Sequence, residues 1–262
     1  MIIVSPCKGP GNCGFHIILI SLLYLVIKSK TEPELLKEIN NSEVLGEILS
    51  QLQDKSLKSQ KNVDILNDQI NQMISAKTSC FDFFSTMTEA MKKNFLKSDW
   101  LNNLVKNTLL AADWYFIPNN PYLNSEALQN LADKIKKHLF LSRTSIFEMN
   151  DEDSFKLVKN YLSSIDKSFF DELVKKVTFE IYGTRSAWLD YDFLTKVNEA
   201  LFPNSKILFS KKWINLYNNA SDDHWSLSIE KEDETLMVLK QAIENFIEVS
   251  TCNKTIEFIP FL

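Results

Sequence analysis

The chain has 262 residues, 45% of them hydrophobic and 11% aromatic, enough apolar material to bury a sizeable core and to exclude a disordered chain. Its net charge of −5, with no basic cluster longer than Lys134–His138 or Lys211–Lys212, argues against nucleic acid as a partner. Four scattered cysteines, Cys7, Cys13, Cys80 and Cys252, form no disulfide framework and read as reduced thiols in a cytosol-like compartment.

In chain order, the first notable stretch is "GPGNCGF" at 9–15, which holds Gly9, Gly11 and Gly14 of a chain with 5 Gly in all. The apolar run from Ile17 to Ile27 follows. It is too short to span a bilayer as a helix, and it lacks the basic flank and small-residue cleavage site of a signal peptide. A helix apolar all round belongs in a core, so the residues after Cys13 are expected to form a central buried helix. Thr31 as N-cap, Pro33 in the first turn and Glu34 after it predict the next helix start.

Polar residues 55–62 read as a loop. Helical spacing then recurs through Val63, Leu66, Ile70 and Met73, through 99–112, 125–139 and 155–162, and through 169–177. Asn119–Pro121 is a turn between two of these runs. A last helix in this series spans 192–201. Strands are expected at 205–209, 212–217 and 224–229, a helix at 235–249, and a closing strand at 255–259. The order of elements predicts an α+β fold with a small sheet.

The glycines around Cys13 suggest a device. A Gly-rich turn feeding a helix leaves main-chain N–H groups free at the helix N-terminus, where partial positive charge favours an anion. A thiol placed there is expected to have a lowered pKa, and the same N–H groups could receive the oxyanion of an acyl-transfer intermediate. Such a thiol needs a base. His16 opens the buried run and reads as a packed core residue. His138 sits with Lys136 and Lys137 and reads as solvated surface. His224 follows the polar loop "NNASDD" and opens an alternating strand, which could hold it against a helix-borne Cys. The set Cys7, Cys13, His16 does not have the spacing of a zinc site.

Three stretches in order, "GPGNCGF" before an apolar helix, "AWLDYDFLTKVNEALFPNSKILF" at 187–209 and "HW" at 224–225, resemble the OTU (ovarian tumour) cysteine deubiquitinases. The likeness covers roughly residues 5–30 and 185–230. A helical block between the Cys helix and the later motifs is similar to OTU enzymes secreted into host cells by intracellular bacteria of the Legionella type.

The resemblance implies a papain-like core from residues 1–30 and 181–262, with a large all-helical insertion at 31–180 that holds ubiquitin. It implies a thiol isopeptidase with no cofactor and no metal, acting on ubiquitin conjugates in a reducing cytosol, as in a host cell after secretion. Cys13 would be the nucleophile and His224 the base. Gly11, Asn12 and Cys13 would form the oxyanion hole, and Trp225 would line the channel for the ubiquitin tail. The sequence departs from the family at two places. Pro10 stands where an Asp is usual, and Ser226 stands where an Asp or Asn often orients the His. Ser226, Asp222, Asp223, Asn218 and Ser5 are the candidates for that orienting role. Two alternatives stand beside this reading: a degenerate relative that binds ubiquitin without cutting it, and another papain-like thiol acyltransferase or protease.

Overall fold

The computed structural model describes residues 1–7, 12–52, 60–103, 106, 167–179, 191–203, 208, 215–219 and 224–251. Expectations that fall elsewhere lie outside the described residues. These include the helices at 125–139 and 155–162 and the strand at 255–259. They also include Gly11, Asp222 and Asp223.

The sheet is four-stranded and antiparallel throughout. Its strands are β1 (Ile2–Pro6), β2 (Asn215–Asn219), β3 (His224–Ile229) and β4 (Ile247–Thr251), in the order β2-β3-β1-β4. The chain therefore starts in the middle of the sheet. The register puts Val4 opposite Leu227 and Ile2 opposite Ile229 on one face, with Ile3 opposite Ser228 on the other. Val4 and Leu227 are wholly buried.

Strand β3 lies where its alternation predicted it, and β2 coincides with the expected 212–217 strand over Asn215–Tyr217, residues 212–214 lying outside the described residues. β1 and β4 were not foreseen. β4 falls inside the expected 235–249 helix, which ends as an α-helix at Ile243 and passes through a 3-10 turn, Glu244–Phe246, into the strand. The segment "IEVST" alternates and is rich in β-branched residues, so pairing with β1 outweighs continuation of the helix.

Helix α1 (Cys13–Lys28) is the expected central helix, with every residue from Ile17 to Ile27 buried. It touches β1 and β3, and also α2 (Pro33–Asn41), α4 (Asn62–Ile74) and the late helix α8 (Glu234–Ile243). Between these lie α3 (Glu43–Leu49), α5 (Cys80–Phe95), α6 (Lys167–Thr178) and α7 (Tyr191–Leu201). α2 starts later than expected. Pro33 takes the first position, Glu32 is the N-cap, and the Thr31 hydroxyl instead donates back to the Lys28 carbonyl at 3.1 Å.

Two polar side chains organise the helices around α1. The Asn62 amide donates to the carbonyls of Ile39 (2.8 Å) and Ser42 (2.9 Å), clamping the α2–α3 junction to the start of α4. The Ser42 hydroxyl accepts from the Leu45 N–H as the α3 N-cap and donates to the Leu201 carbonyl at the end of α7.

The chain divides into two compact units, Met1–Lys93 with Leu189–Leu262, and Asn94–Trp188. The first holds the sheet, α1 to α4, most of α5, α7 and α8. Helices α2 and α4, which the sequence reading assigned to an insertion at 31–180, lie in this first unit and pack directly on α1. In the second unit, the Thr178 hydroxyl donates to the Val174 carbonyl (2.8 Å) and lies 3.4 Å from Asn102 Oδ1. Lys106 pairs with Asp171 at 3.8 Å, and Leu101 and Val174 are buried.

At the C-terminal end of α1, the Tyr24 hydroxyl donates to Asp233 Oδ2 at 3.2 Å, and Lys28 Nζ lies 4.0 Å from the same oxygen. Asp233 Oδ1 accepts the Leu236 N–H at 2.8 Å and so caps α8. One carboxylate thus joins the two helices. Asp233→Ala is expected to cost about 1–3 kcal/mol, from the lost cap and the unpartnered Tyr24 hydroxyl. Asp233→Asn should retain most of that. Urea denaturation of the two variants checks it, and equal losses would contradict the capping role.

Candidate active site

The stretch around Cys13 folds as a helix start. Asn12 is the N-cap, with φ 68° and ψ 7°, a left-handed conformation that Asn tolerates better than most side-chain-bearing residues. The unusual backbone expected of Gly11 is thus seen at Asn12, its neighbour, while Gly11 lies outside the described residues. The Asn12 carbonyl accepts the first helical bond from the His16 N–H at 2.9 Å. Its side chain makes no capping bond, and its Oδ1 is buried with no hydrogen-bond partner among the described residues. No acidic residue occupies the first turn. The N-terminal end of this 16-residue helix thus has no side-chain cap from Asn12 and no carboxylate in its first turn.

Cys13 is the first residue of α1 and is 7% exposed. The main-chain N–H groups of Gly14, Trp225 and Cys13 favour its thiolate. Burial acts in the opposite direction and is the larger effect, so the thiol pKa is pushed up. This corrects the expectation of a lowered pKa. A helix terminus contributes partial charges, whereas taking a full thiolate out of water is opposed by the whole loss of its hydration.

The Trp225 contact ties the helix N-terminus to the start of β3. β3 opens at His224, whose backbone pairs with Asn219 of β2. Cys13 is thereby placed against the main chain of the residue that follows His224. Trp225 itself is 6% exposed and shares a sheet face with Leu227 and Ile229. Asn218 pairs with Trp225 in the β2–β3 register.

Ser226 is buried, and its hydroxyl lies 2.6 Å from that of Ser5 on β1. Both were candidates from the sequence, but their contact was not foreseen, because Ser5 belongs to the strand that periodicity missed. Among the donors near the sulfur, the Gly14 and Trp225 N–H groups were also missed. Main-chain donors carry no sequence signal, and only the packing of α1 on β3 brings them together.

His16 is the packed residue expected. Its ring lies edge-on to Phe84 and Phe246, with centroids 5.8 Å and 4.9 Å away, and Phe84 stacks on Phe246 at 3.8 Å. Burial and then the Lys92 ammonium lower its pKa to about 4, so it is neutral near pH 7. The Lys92 side chain is 3% exposed, 3.6 Å from Glu89, and lies over the Phe15 ring at 5.9 Å.

The other described cysteines are also free thiols. Cys7 donates weakly to the Asn245 carbonyl at 3.8 Å, and its pKa is raised by burial and by Glu248. Cys80, at the start of α5, is raised chiefly by burial. Among the described residues no group of His, Cys, Asp or Glu is arranged to hold a metal ion, and no helix is long and apolar enough to cross a membrane. Comparison with family models, curated proteins and solved structures returns no match for this chain.

The neutral His16 makes a pH prediction. Above pH 6.5 the ring is uncharged in folded and unfolded chains alike and contributes no pH dependence. As pH falls below 6.5 the unfolded chain binds the proton first, and stability is lost until the folded pKa of about 4 is passed. The shift from 6.5 to about 4 corresponds to roughly 3 kcal/mol across that window. His16→Phe, which fits an aromatic cluster, should flatten the stability profile between these pH values. Urea midpoints measured every half unit test this, and an unchanged acid limb would contradict it.

Proposed function

We propose that this chain is a cysteine-type deubiquitinase of the OTU kind, a thiol isopeptidase on ubiquitin conjugates with a papain-like core. The observation that carries the reading is the position of Cys13. It starts an uncapped helix and lies against the main chain of Trp225, the residue after the only strand-borne His in the sequence reading.

In the proposed reaction the Cys13 thiolate attacks the Gly–Lys isopeptide carbonyl, and His224 first takes the thiol proton and then gives it to the leaving amine. Water hydrolyses the acyl-enzyme. The Cys13 and Gly14 N–H groups at the start of α1 are the donors available for the oxyanion, with Asn12 and Gly11 as the candidates from the turn. An imidazolium at His224 would supply the full positive charge that helix-end dipoles lack, and so offset the burial that raises the thiol pKa. Part of the 31–180 region would hold a ubiquitin.

A second reading, a relative that binds ubiquitin without cutting it, is favoured by the raised Cys13 pKa and by Pro10 in place of an acid. Ubiquitin bearing a C-terminal electrophile separates the two. The active enzyme should gain the mass of one ubiquitin, and Cys13→Ala should lose this gain while Cys7→Ala and Cys80→Ala retain it. A ubiquitin complex that forms without any adduct would favour the binding module. Neither adduct nor complex would reject both.

A further inference from the structure

Cys7 and Cys80 take no part in the reaction proposed above, yet the fold gathers them around one short turn. Cys7 follows β1 and extends its ladder with β4 by a residue. Pro6 pairs with Ile247, and the Cys7 N–H then donates to the Phe246 carbonyl at 2.8 Å. The Cys7 thiol lies 3.8 Å from the Asn245 carbonyl. Cys80 opens α5, and the residues after it pack on the same turn. The Phe81 ring meets Phe246 edge-on with centroids 5.5 Å apart, and Phe84 stacks on Phe246 at 3.8 Å. The 3-10 turn Glu244–Phe246 therefore holds Cys7 by its main chain and the start of α5 by the Phe246 ring.

Both thiols are free and partly exposed, whereas Cys13 is buried. They are also electrostatic neighbours, since negative charge on Cys7 disfavours ionisation of Cys80. Two carboxylates face them as well: Glu248 disfavours the Cys7 thiolate, and Asp82 disfavours that of Cys80. Each cysteine stands at the end of its element rather than inside it. There, the backbone adjustment that disulfide geometry demands breaks the fewest hydrogen bonds.

We propose that Cys7 and Cys80 form a reversible redox site, closing to a disulfide that joins the end of β1 to the start of α5. The oxidant is a low-molecular-weight disulfide. The Cys7 thiolate attacks one of its sulfurs, so that half becomes bonded to Cys7 and the other half leaves as a thiolate. Capping Cys7 in this way removes the negative charge that opposes ionisation of Cys80. The Cys80 thiolate then attacks the Cys7 sulfur, and the second half leaves. Two protein thiols give up two protons and two electrons, and the small disulfide is reduced to two thiols. The new bond encloses α1 to α4, and Cys13 with them, in a covalent loop. It restricts the unfolded chain and ties the sheet to α5 in the folded one.

The test incubates the folded full chain with oxidised glutathione, blocks remaining thiols with N-ethylmaleimide, and maps unreduced peptides by mass spectrometry. A Cys7 peptide joined to a Cys80 peptide, lighter than the two by two hydrogens, is the expected main product, and dithiothreitol should reverse it. The oxidised chain should unfold at higher urea than the reduced chain. Cys7→Ser and Cys80→Ser should each stop at a glutathione adduct on the remaining thiol and show no such rise. In chain already unfolded by urea, Cys13 and Cys252 should enter the pairing too. None of these measurements involves ubiquitin, so their outcome is independent of the isopeptidase reading. Glutathione adducts on Cys7 and Cys80 together in one folded chain, no reaction at either thiol, or the same mixture of pairings in folded and unfolded chain would each overturn the inference.

Discussion

The structure depends on a helix with no solvent face. From Ile17 to Ile27 every residue of α1 is buried, so the chain must surround it completely. The sheet, through β1 and β3, covers part of the surface, and α2, α4 and α8 supply further cover. At roughly 25 cal/mol per Å² of apolar area, burying its Leu, Ile and Val side chains is the largest favourable term near the site. The consequence is positional. A helix gripped along its length cannot slide or rotate without exposing those side chains, and its N-terminus, with Cys13, is therefore fixed against β3.

The same burial decides the electrostatics. Cys13 and His16 sit one turn apart at the start of α1, and both are shifted toward their neutral forms, the thiol upward and the imidazole downward. Desolvation is the first cause in each case. Two charged groups on or against α1 are paired, Lys28 with Asp233 and Lys92 with Glu89. The Lys92 side chain is almost wholly buried, and its ammonium lies near a carboxylate and an aromatic face.

What could be read from the sequence follows this logic. The central helix was legible because an unbroken apolar run has one physical outcome in a chain this size. β3 was legible because "HWSLSI" alternates, and α4 because Val63, Leu66, Ile70 and Met73 repeat at helical spacing. β1 was missed because "IIVSP" is short and buried on both faces, so it has no period to detect. β4 was missed because it directly continues an amphipathic helix through a 3-10 turn, and local pattern alone does not mark that change. At the site, Cys13 and Ser226 could be named from their chemistry. The N–H groups of Gly14 and Trp225 and the Ser5–Ser226 bond could not, because they exist only when distant strands are paired. The direction of the Cys13 shift was misjudged for a related reason: a sequence shows the helix terminus but not how deeply its first residue is buried.

An uncapped helix end beside a buried neutral thiol has a particular electrostatic character. The N–H groups of Cys13 and Gly14 are fixed by the helix, need no reorganisation, and face no resident carboxylate from the first turn. The resting thiol, held neutral by burial, does not use their full capacity. Such a set of donors stabilises a charge that appears during a reaction more than one present beforehand. Under the proposed function, the burial that weakens the resting nucleophile and the donors that await an oxyanion follow from one geometry. Lowering the thiol pKa by exposing Cys13 to water would weaken those donors as well, since the same water would screen them.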